Sequence, residues 1–237
     1  MPKAPVIGIS MSFMLLGSYH QYHIRNRYID AVRASGALPL PIPCTTDTQS
    51  IRQYLDMADA MLFIGGSDYP PHLFGQEPHP KLNPMEDIRW QADLMLLPAA
   101  IAKGLPILGI CAGHQLMAIC HGGRLIQHLE QVATHTGENY HPVRITSGRW
   151  LARIFSEKEL TVNSNHHQAI DPSDPGKGLS VVALAPDGVI EAVEADLPQM
   201  VLGLQWHPER ITDPIHRQMV FSFLTDRARE YRSSHPA

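Results

Sequence analysis

Cys111 is the central residue of Gly109-Ile110-Cys111-Ala112-Gly113, between the apolar run Leu105 to Ile110 and the helix-forming Gln115-Leu116-Met117-Ala118. Strand, sharp turn and helix with a thiol at the turn is the sulfur version of the G-x-S-x-G elbow. In that elbow small neighbours permit a strained backbone that leaves a nucleophile exposed. The positive end of the following helix favours thiolate over thiol. The same pattern suits a packed cysteine in a tight βα turn, since free cysteine is among the most buried residue types. The elbow alone leaves both readings open.

A thiol becomes a nucleophile when a histidine can take its proton and a third group orients that histidine. Trp206-His207-Pro208-Glu209 follows the apolar strand Val201 to Gln205, and open α/β sheets build their sites at strand ends. In extended backbone His207 and Glu209, two apart, leave the same face. A carboxylate there can hold the imidazole while its other nitrogen meets the sulfur. Attack on an amide also needs donors for the developing oxyanion. The N–H of Ala112 is one, and Gly65-Gly66 at the end of the strand Ala60 to Ile64 can supply another. Each pair also has a plainer reading: an exposed His and Glu opening a loop, and an ordinary turn after a strand.

Asn163-Ser164-Asn165-His166-His167-Gln168 forms a fourth polar cluster. No acidic or cysteine partner stands near the paired histidines at ligand spacing, and His20 and His23 share that weakness. The expectation is therefore no metal and no cofactor, with Asn165, His166 and His167 in substrate contact or a loop hydrogen-bond network. Cys120, in the helix after the elbow, is read as core.

These residues need a scaffold, and the chain alternates strand-like and helix-like segments to provide one. Val6 to Ser10, Leu38 to Ile42, Ala60 to Ile64 and Pro106 to Ile110 read as strands. Arg25 to Ser35, Ile51 to Met57 and Glu86 to Lys103 read as helices, the first stopped by Gly36. This predicts an α/β fold: a doubly wound, mostly parallel central sheet flanked by helices on both faces. The second half adds short strand-like runs at Leu125–Leu129, Val143–Thr146, Thr161–Asn163, Leu179–Leu184, Val189–Val193 and Val201–Gln205. Pro186-Asp187-Gly188 predicts a hairpin within them, so a small antiparallel addition is expected. Asp213-Pro214 predicts a helix start, with the helix running to about Arg229. Ser67 to Pro84 reads as a long loop without a legible code.

At 237 residues, 44% hydrophobic and 18% charged, one domain over 1–237 is expected. A net charge of -4 with mixed signs excludes the basic stripe of a nucleic-acid binder. No apolar run approaches a membrane span and no signal-peptide pattern opens the chain. Three scattered cysteines suit a reducing compartment, so a cytoplasmic location is expected.

G-I-C-A-G-H-Q at 109–115, W-H-P-E at 206–209 and G-G at 65–66 occur in the order seen in class I glutamine amidotransferases, which the chain resembles over nearly its whole length. N-S-N-H-H-Q-A-I at 163–170, joined to W-H-P-E, resembles more narrowly the γ-glutamyl-γ-aminobutyrate hydrolase (peptidase C26) branch. The resemblance implies the class I glutamine amidotransferase-like fold and a Cys111–His207–Glu209 triad. It also implies oxyanion donors at Gly66 and Ala112, and substrate contacts at Gln115, with Gly65 beside them. The implied reaction is γ-glutamyl amide hydrolysis through a thioester on Cys111, releasing glutamate and an amine, as in polyamine or amino-acid catabolism.

Two departures stand out. The hydrolase branch usually has arginine after the nucleophile, then Gly-Met-Gln, where this chain has Ala112, Gly113 and His114 before Gln115. G-I-C-x-G-H-Q is similar instead to the glutaminase subunit of carbamoyl-phosphate synthetase. Asp87, Arg89 and Asp93 also stand in a different arrangement from that branch's Arg-Asp pair and Glu. Ala112 and His114 are therefore expected to carry this chain's specificity. A small γ-glutamyl molecule is the expected partner, and a homodimer is left open. Competing readings are a glutaminase subunit feeding ammonia to a separate synthase, a non-enzymatic binding module and a zinc hydrolase.

Overall fold

The computed structural model describes residues 3–235. Its centre is a nine-stranded sheet in the order Leu38–Ile42, Val6–Ser10, Ala60–Phe63, Ile107–Ile110, Val201–Leu204, Ile190–Ala195, Leu179–Leu184, Asn139–Ile145, Glu159–Ser164. The first five strands pair in parallel, and the remaining pairings are antiparallel. The expected antiparallel addition thus continues the same sheet, and Pro186-Asp187-Gly188 lies in the turn of its hairpin.

Strand alternation divides the core between the two faces. Ile7, Ile9, Ala60, Leu62, Leu108, Ile110, Leu202 and Leu204 pack one face against Tyr28 and Val32 of the helix Asn26–Ala34 and Val220, Phe221 and Leu224 of the helix Pro214–Ser234. Met61, Phe63, Ile107 and Val201 face the other way, onto Ile51 and Leu55 of Thr48–Met57, Leu96 and Leu97 of Asp87–Ala102, and Leu116 and Met117 of Ala112–Cys120. Pro39 and Pro41 are tolerated because their strand is the sheet edge. The N–H of Leu38 points inward to Pro5, so the prolines alternate outward.

Several elements differ from the sequence reading. The second helix starts at Thr48 because Asp47 caps it, accepting from the Ser50 N–H at 2.8 Å. The last helix runs past Arg229 to Ser234. Ser67 to Pro84 carries a 3-10 turn at Pro71–Phe74, and Asp68 holds its two ends together. The Asp68 carboxylate accepts from the Asn83 N–H at 2.7 Å, while its backbone pairs with Asn83 and Met85.

Ser12–Leu16 and Tyr19–His23 form an antiparallel hairpin that the sequence reading missed. Its signal was present: Gly17-Ser18, with Gly17 at φ +62°, is the two-residue loop such hairpins need.

Candidate active site

Cys111 occupies the first cap position of the helix Ala112–Cys120 with φ +52° and ψ −103°. A non-glycine residue there carries strain of roughly 1–3 kcal/mol and persists only when its surroundings over-determine it. The flanking glycines do that. A Cβ on Gly113 would stand 2.4 Å from the carbonyl oxygen of Phe63, and one on Gly109 would stand 2.5 Å from the carbonyl oxygen of Gly113. Strand and helix therefore meet backbone to backbone, and the turn between them projects Cys111 into a cavity of about 500 Å³. Neither of the other thiols lines this cavity, and burial pushes Cys44 up to about 11 and Cys120 up to about 12. Both are packing residues.

His207 reaches the same cavity from the turn after Val201–Leu204, the strand beside the elbow strand, with Glu209 buried behind it. Nδ1 of His207 lies 2.8 Å from Glu209 Oε1, with both side chains buried. A carboxylate only accepts, so Nδ1 carries the hydrogen and Nε2 is left for another partner. Nε2 makes no hydrogen bond and is sealed from solvent. Burial opposes charge on the imidazole, yet Glu209 and Cys111 together hold it up at about 9. Burial likewise opposes the Glu209 carboxylate, and His207 overcomes it, holding that carboxyl below its ordinary range.

Gly65 is where the neighbouring loop passes closest. A Cβ there would lie 3.1 Å from His207 Cε1 and 3.5 Å from Cys111 Cβ. Its own N–H donates to Tyr28 Oη at 3.1 Å. The next N–H, of Gly66, meets no acceptor among the described residues, and neither does that of Ala112 at the first helical position. A Cβ on Gly66 would stand 3.8 Å from that of Ala112, so the two backbones are neighbours beside the sulfur.

The remaining expected residues fall in two groups. Gln115 is buried at the cavity edge, donating to the Gln168 carbonyl and to Gln205 Oε1, both at 3.1 Å. Asn165 is exposed and accepts from the Gly137 N–H at 3.3 Å. His167 is half-buried in the wall, its Nε2 at 3.0 Å from both Asp68 oxygens, which ties the 163–170 segment to the long loop. His166 adjoins the cavity, but its Nε2 turns inward to Glu191.

His114 does not line the cavity. It is fully buried behind the elbow, and a Cβ on Gly203 would lie 2.8 Å from its Nδ1. Burial drives it down to about 3, so it is a neutral packing residue. Ala112 is equally buried. The expectation that their side chains shape specificity is corrected, because the elbow turns both into the core.

Three arginines complete the wall: Arg89, which the sequence set apart only as a departure from the branch's pattern, and Arg25 and Arg210, which it left without a role. Arg89 and Asp93 form a buried ion pair at 2.6 Å one helical turn apart. Arg89 also donates to the Met11 and Ile64 carbonyls and to Ser12 Oγ, anchoring the hairpin base and the strand end before Gly65. Arg210 lies on Glu209 at 3.6 Å and is paired with Glu138. Arg25 is exposed on the cavity rim and makes no ion pair among the described residues. Arg89 and Asp93, four apart on a helix that is apolar on the same side, were the signal in the sequence.

The Peptidase C26 family model matches residues 5–209. The chain belongs to the peptidase C26 family. Rv2859c of Mycobacterium tuberculosis, provisionally named a glutamine amidotransferase, is 36% identical over 212 residues, which is 86% of this chain and 67% of that one. The γ-glutamyl-γ-aminobutyrate hydrolase PuuD of Escherichia coli K12 is 29% identical over 222 residues, 86% of this chain and 85% of that one. Among solved structures, a Thermoplasma acidophilum protein provisionally named as one subunit of a GMP synthase superposes over 100% of both chains, with a TM-score of 0.69 at 18% identity. That likeness shows the fold. The family is hydrolytic, and among the described residues no helix is long and apolar enough to cross a membrane.

Proposed function

We propose that this chain is a cysteine hydrolase that cleaves the γ-glutamyl amide bond of a glutamylated amine. The observation that carries the reading is the convergence at one cavity of a strained cysteine, a buried His–Glu pair and two acceptor-free amides. Cys111 attacks the γ-carbonyl carbon as thiolate. The electron pair displaced onto oxygen is held by the N–H groups of Gly66 and Ala112. The His207 imidazolium gives its Nε2 proton to the leaving nitrogen, the C–N bond breaks, and the amine departs.

The thioester then meets water. Acylation removes charge from the sulfur, and Cys111 is one of the two groups holding the His207 pKa up. In the acyl-enzyme the imidazole, having given its proton to the amine, is therefore left neutral and free to act as general base. It takes a water proton, hydroxyl adds to the carbonyl, and collapse returns glutamate and the free thiol.

Arg25 supports a carboxylate on the amine portion of the substrate, as in the γ-aminobutyrate adduct its relative PuuD is named for. It is the guanidinium at the cavity that no acidic side chain among the described residues already neutralises. Incubating the reduced protein with a panel of γ-glutamyl amines, and measuring glutamate, tests the reading. Release from a γ-glutamyl amino acid supports it. Release from free glutamine alone, stimulated by an added synthase, or no release from any compound, overturns it.

A further inference from the structure

Beneath the cavity wall lies a second cluster that the hydrolytic chemistry does not use. His135, His141, His166 and Glu191 come from four separate segments, and one ligand-capable atom of each lies within 4.8 Å of all the others. His135 Nδ1, His141 Nε2 and His166 Nε2 each stand 3.6 Å from Glu191 Oε1. All four side chains are buried, and none of these inward-facing atoms has a hydrogen-bond partner.

The outward nitrogens decide what the inward ones present. His135 Nε2 is 2.8 Å from Asp187 Oδ2, His166 Nδ1 is 2.9 Å from the Gln168 carbonyl, and His141 Nδ1 is 3.1 Å from the Pro142 carbonyl. Carbonyls and carboxylates only accept, so each outward nitrogen carries the hydrogen. In its neutral form each ring therefore aims a lone pair at the centre, where it meets the other two and a carboxylate oxygen. Without a cation at that centre, four acceptors face one another in a dry interior, an arrangement that is strongly unfavourable.

We propose that His135, His141, His166 and Glu191 bind one structural divalent transition-metal ion, with Zn²⁺ the best match. Zinc takes imidazole nitrogen and carboxylate oxygen at about 2.0–2.2 Å in tetrahedral geometry, which sets ligand atoms about 3.4 Å apart. The 3.6 Å separations to Glu191 need to contract by only a few tenths of an ångström, and no separation in the set, all within 4.8 Å, by more than about 1.4 Å. The outward hydrogen bonds are the orienting contacts that metal-bound histidines make. Charge also closes: two positive charges on the ion balance Glu191 and the adjoining Asp187. The ligand set is complete with four protein groups and sealed from solvent, so the site is structural and leaves no position for substrate. Its role is to brace the wall. His166 binds the metal, its neighbour His167 reaches Asp68, and the next carbonyl, of Gln168, accepts from Gln115.

The test uses untagged full-length protein grown with zinc, freed of loose metal by gel filtration, and measured by inductively coupled plasma mass spectrometry. About one zinc per chain is expected. Glu191→Gln and His141→Ala each lower retained zinc by at least tenfold, while Cys111→Ala keeps it. Cobalt-substituted protein shows the visible absorption of a tetrahedral N/O site without a thiolate band. Protein that neither retains zinc nor takes up added Co²⁺ overturns the proposal, as does zinc that survives both ligand changes or is lost with Cys111. Should the ligand variants be insoluble, zinc-edge anomalous scattering from wild-type crystals decides. A peak among the four side chains upholds the site, and a peak elsewhere or none overturns it. None of these readouts depends on hydrolytic activity.

Discussion

His207 Nδ1 donates to Glu209 Oε1 at 2.8 Å inside a closed floor, two residues apart on one turn. The bond selects the tautomer that offers Nε2 toward Cys111 and supplies the charge that keeps the imidazolium. Glu209→Gln keeps the shape but removes the charge. On the proposed chemistry kcat falls roughly a hundred- to ten-thousand-fold with the fold intact. Glutamate-release kinetics and circular dichroism check this, and an unchanged kcat contradicts it.

The pH profile follows from the same pair. His207 is held up at about 9, so it is protonated at neutral pH and loses its proton as pH rises through that value. Expulsion of the amine needs the protonated form. The kcat/KM profile therefore falls about tenfold per pH unit above about 9. Glu209→Gln moves the limb to lower pH. A profile that stays flat through that range contradicts the assignment of His207 as the acid.

Gly113 permits the elbow. A Cβ there would stand 2.4 Å from the Phe63 carbonyl oxygen, a backbone atom that cannot turn aside. Gly113→Ala is expected to destabilise by about 1–3 kcal/mol or more, lowering Tm by roughly 2–4 °C for each kcal/mol in a chain of this size. Gly66→Ala meets only ordinary contact at 3.8 Å and leaves Tm nearly unchanged. Thermal denaturation of the two variants side by side is the check, and equal Tm values contradict this difference in packing.

Arg25 tests substrate recognition. If it meets a carboxylate on the amine portion, Arg25→Ala raises KM about ten- to a hundredfold for γ-glutamyl amino acids, the worth of a charge-assisted hydrogen bond. For a γ-glutamyl amine without a carboxylate KM is unaffected, and kcat changes little in either case. Equal losses on both substrates contradict the role.

The parallel half of the sheet was legible because its strands are apolar runs separated by capped helices, and the elbow because Gly109 and Gly113 bracket a cysteine. His207 and Glu209 were legible because two-residue spacing at a strand end holds them on one face. What escaped depends on distant partners. His166 and His167 adjoin in sequence yet diverge, one toward Glu191 and one toward Asp68. The partners of His166 are spread from 135 to 191, so no local spacing could announce them. His114 reads as a specificity position in the sequence, but the helix start turns it under Gly203. Direction across a tight turn is decided by backbone angles, and composition does not report them.

The central claim is that Cys111 carries the glutamyl group. Rapid acid quench during turnover of a γ-glutamyl amine, followed by peptide mass spectrometry, tests it directly. The account predicts a γ-glutamyl thioester on the peptide bearing Cys111, none on Cys44 or Cys120, and no glutamate release from Cys111→Ala. A Cys111→Ala protein that hydrolyses the same substrate at the wild-type rate would contradict it.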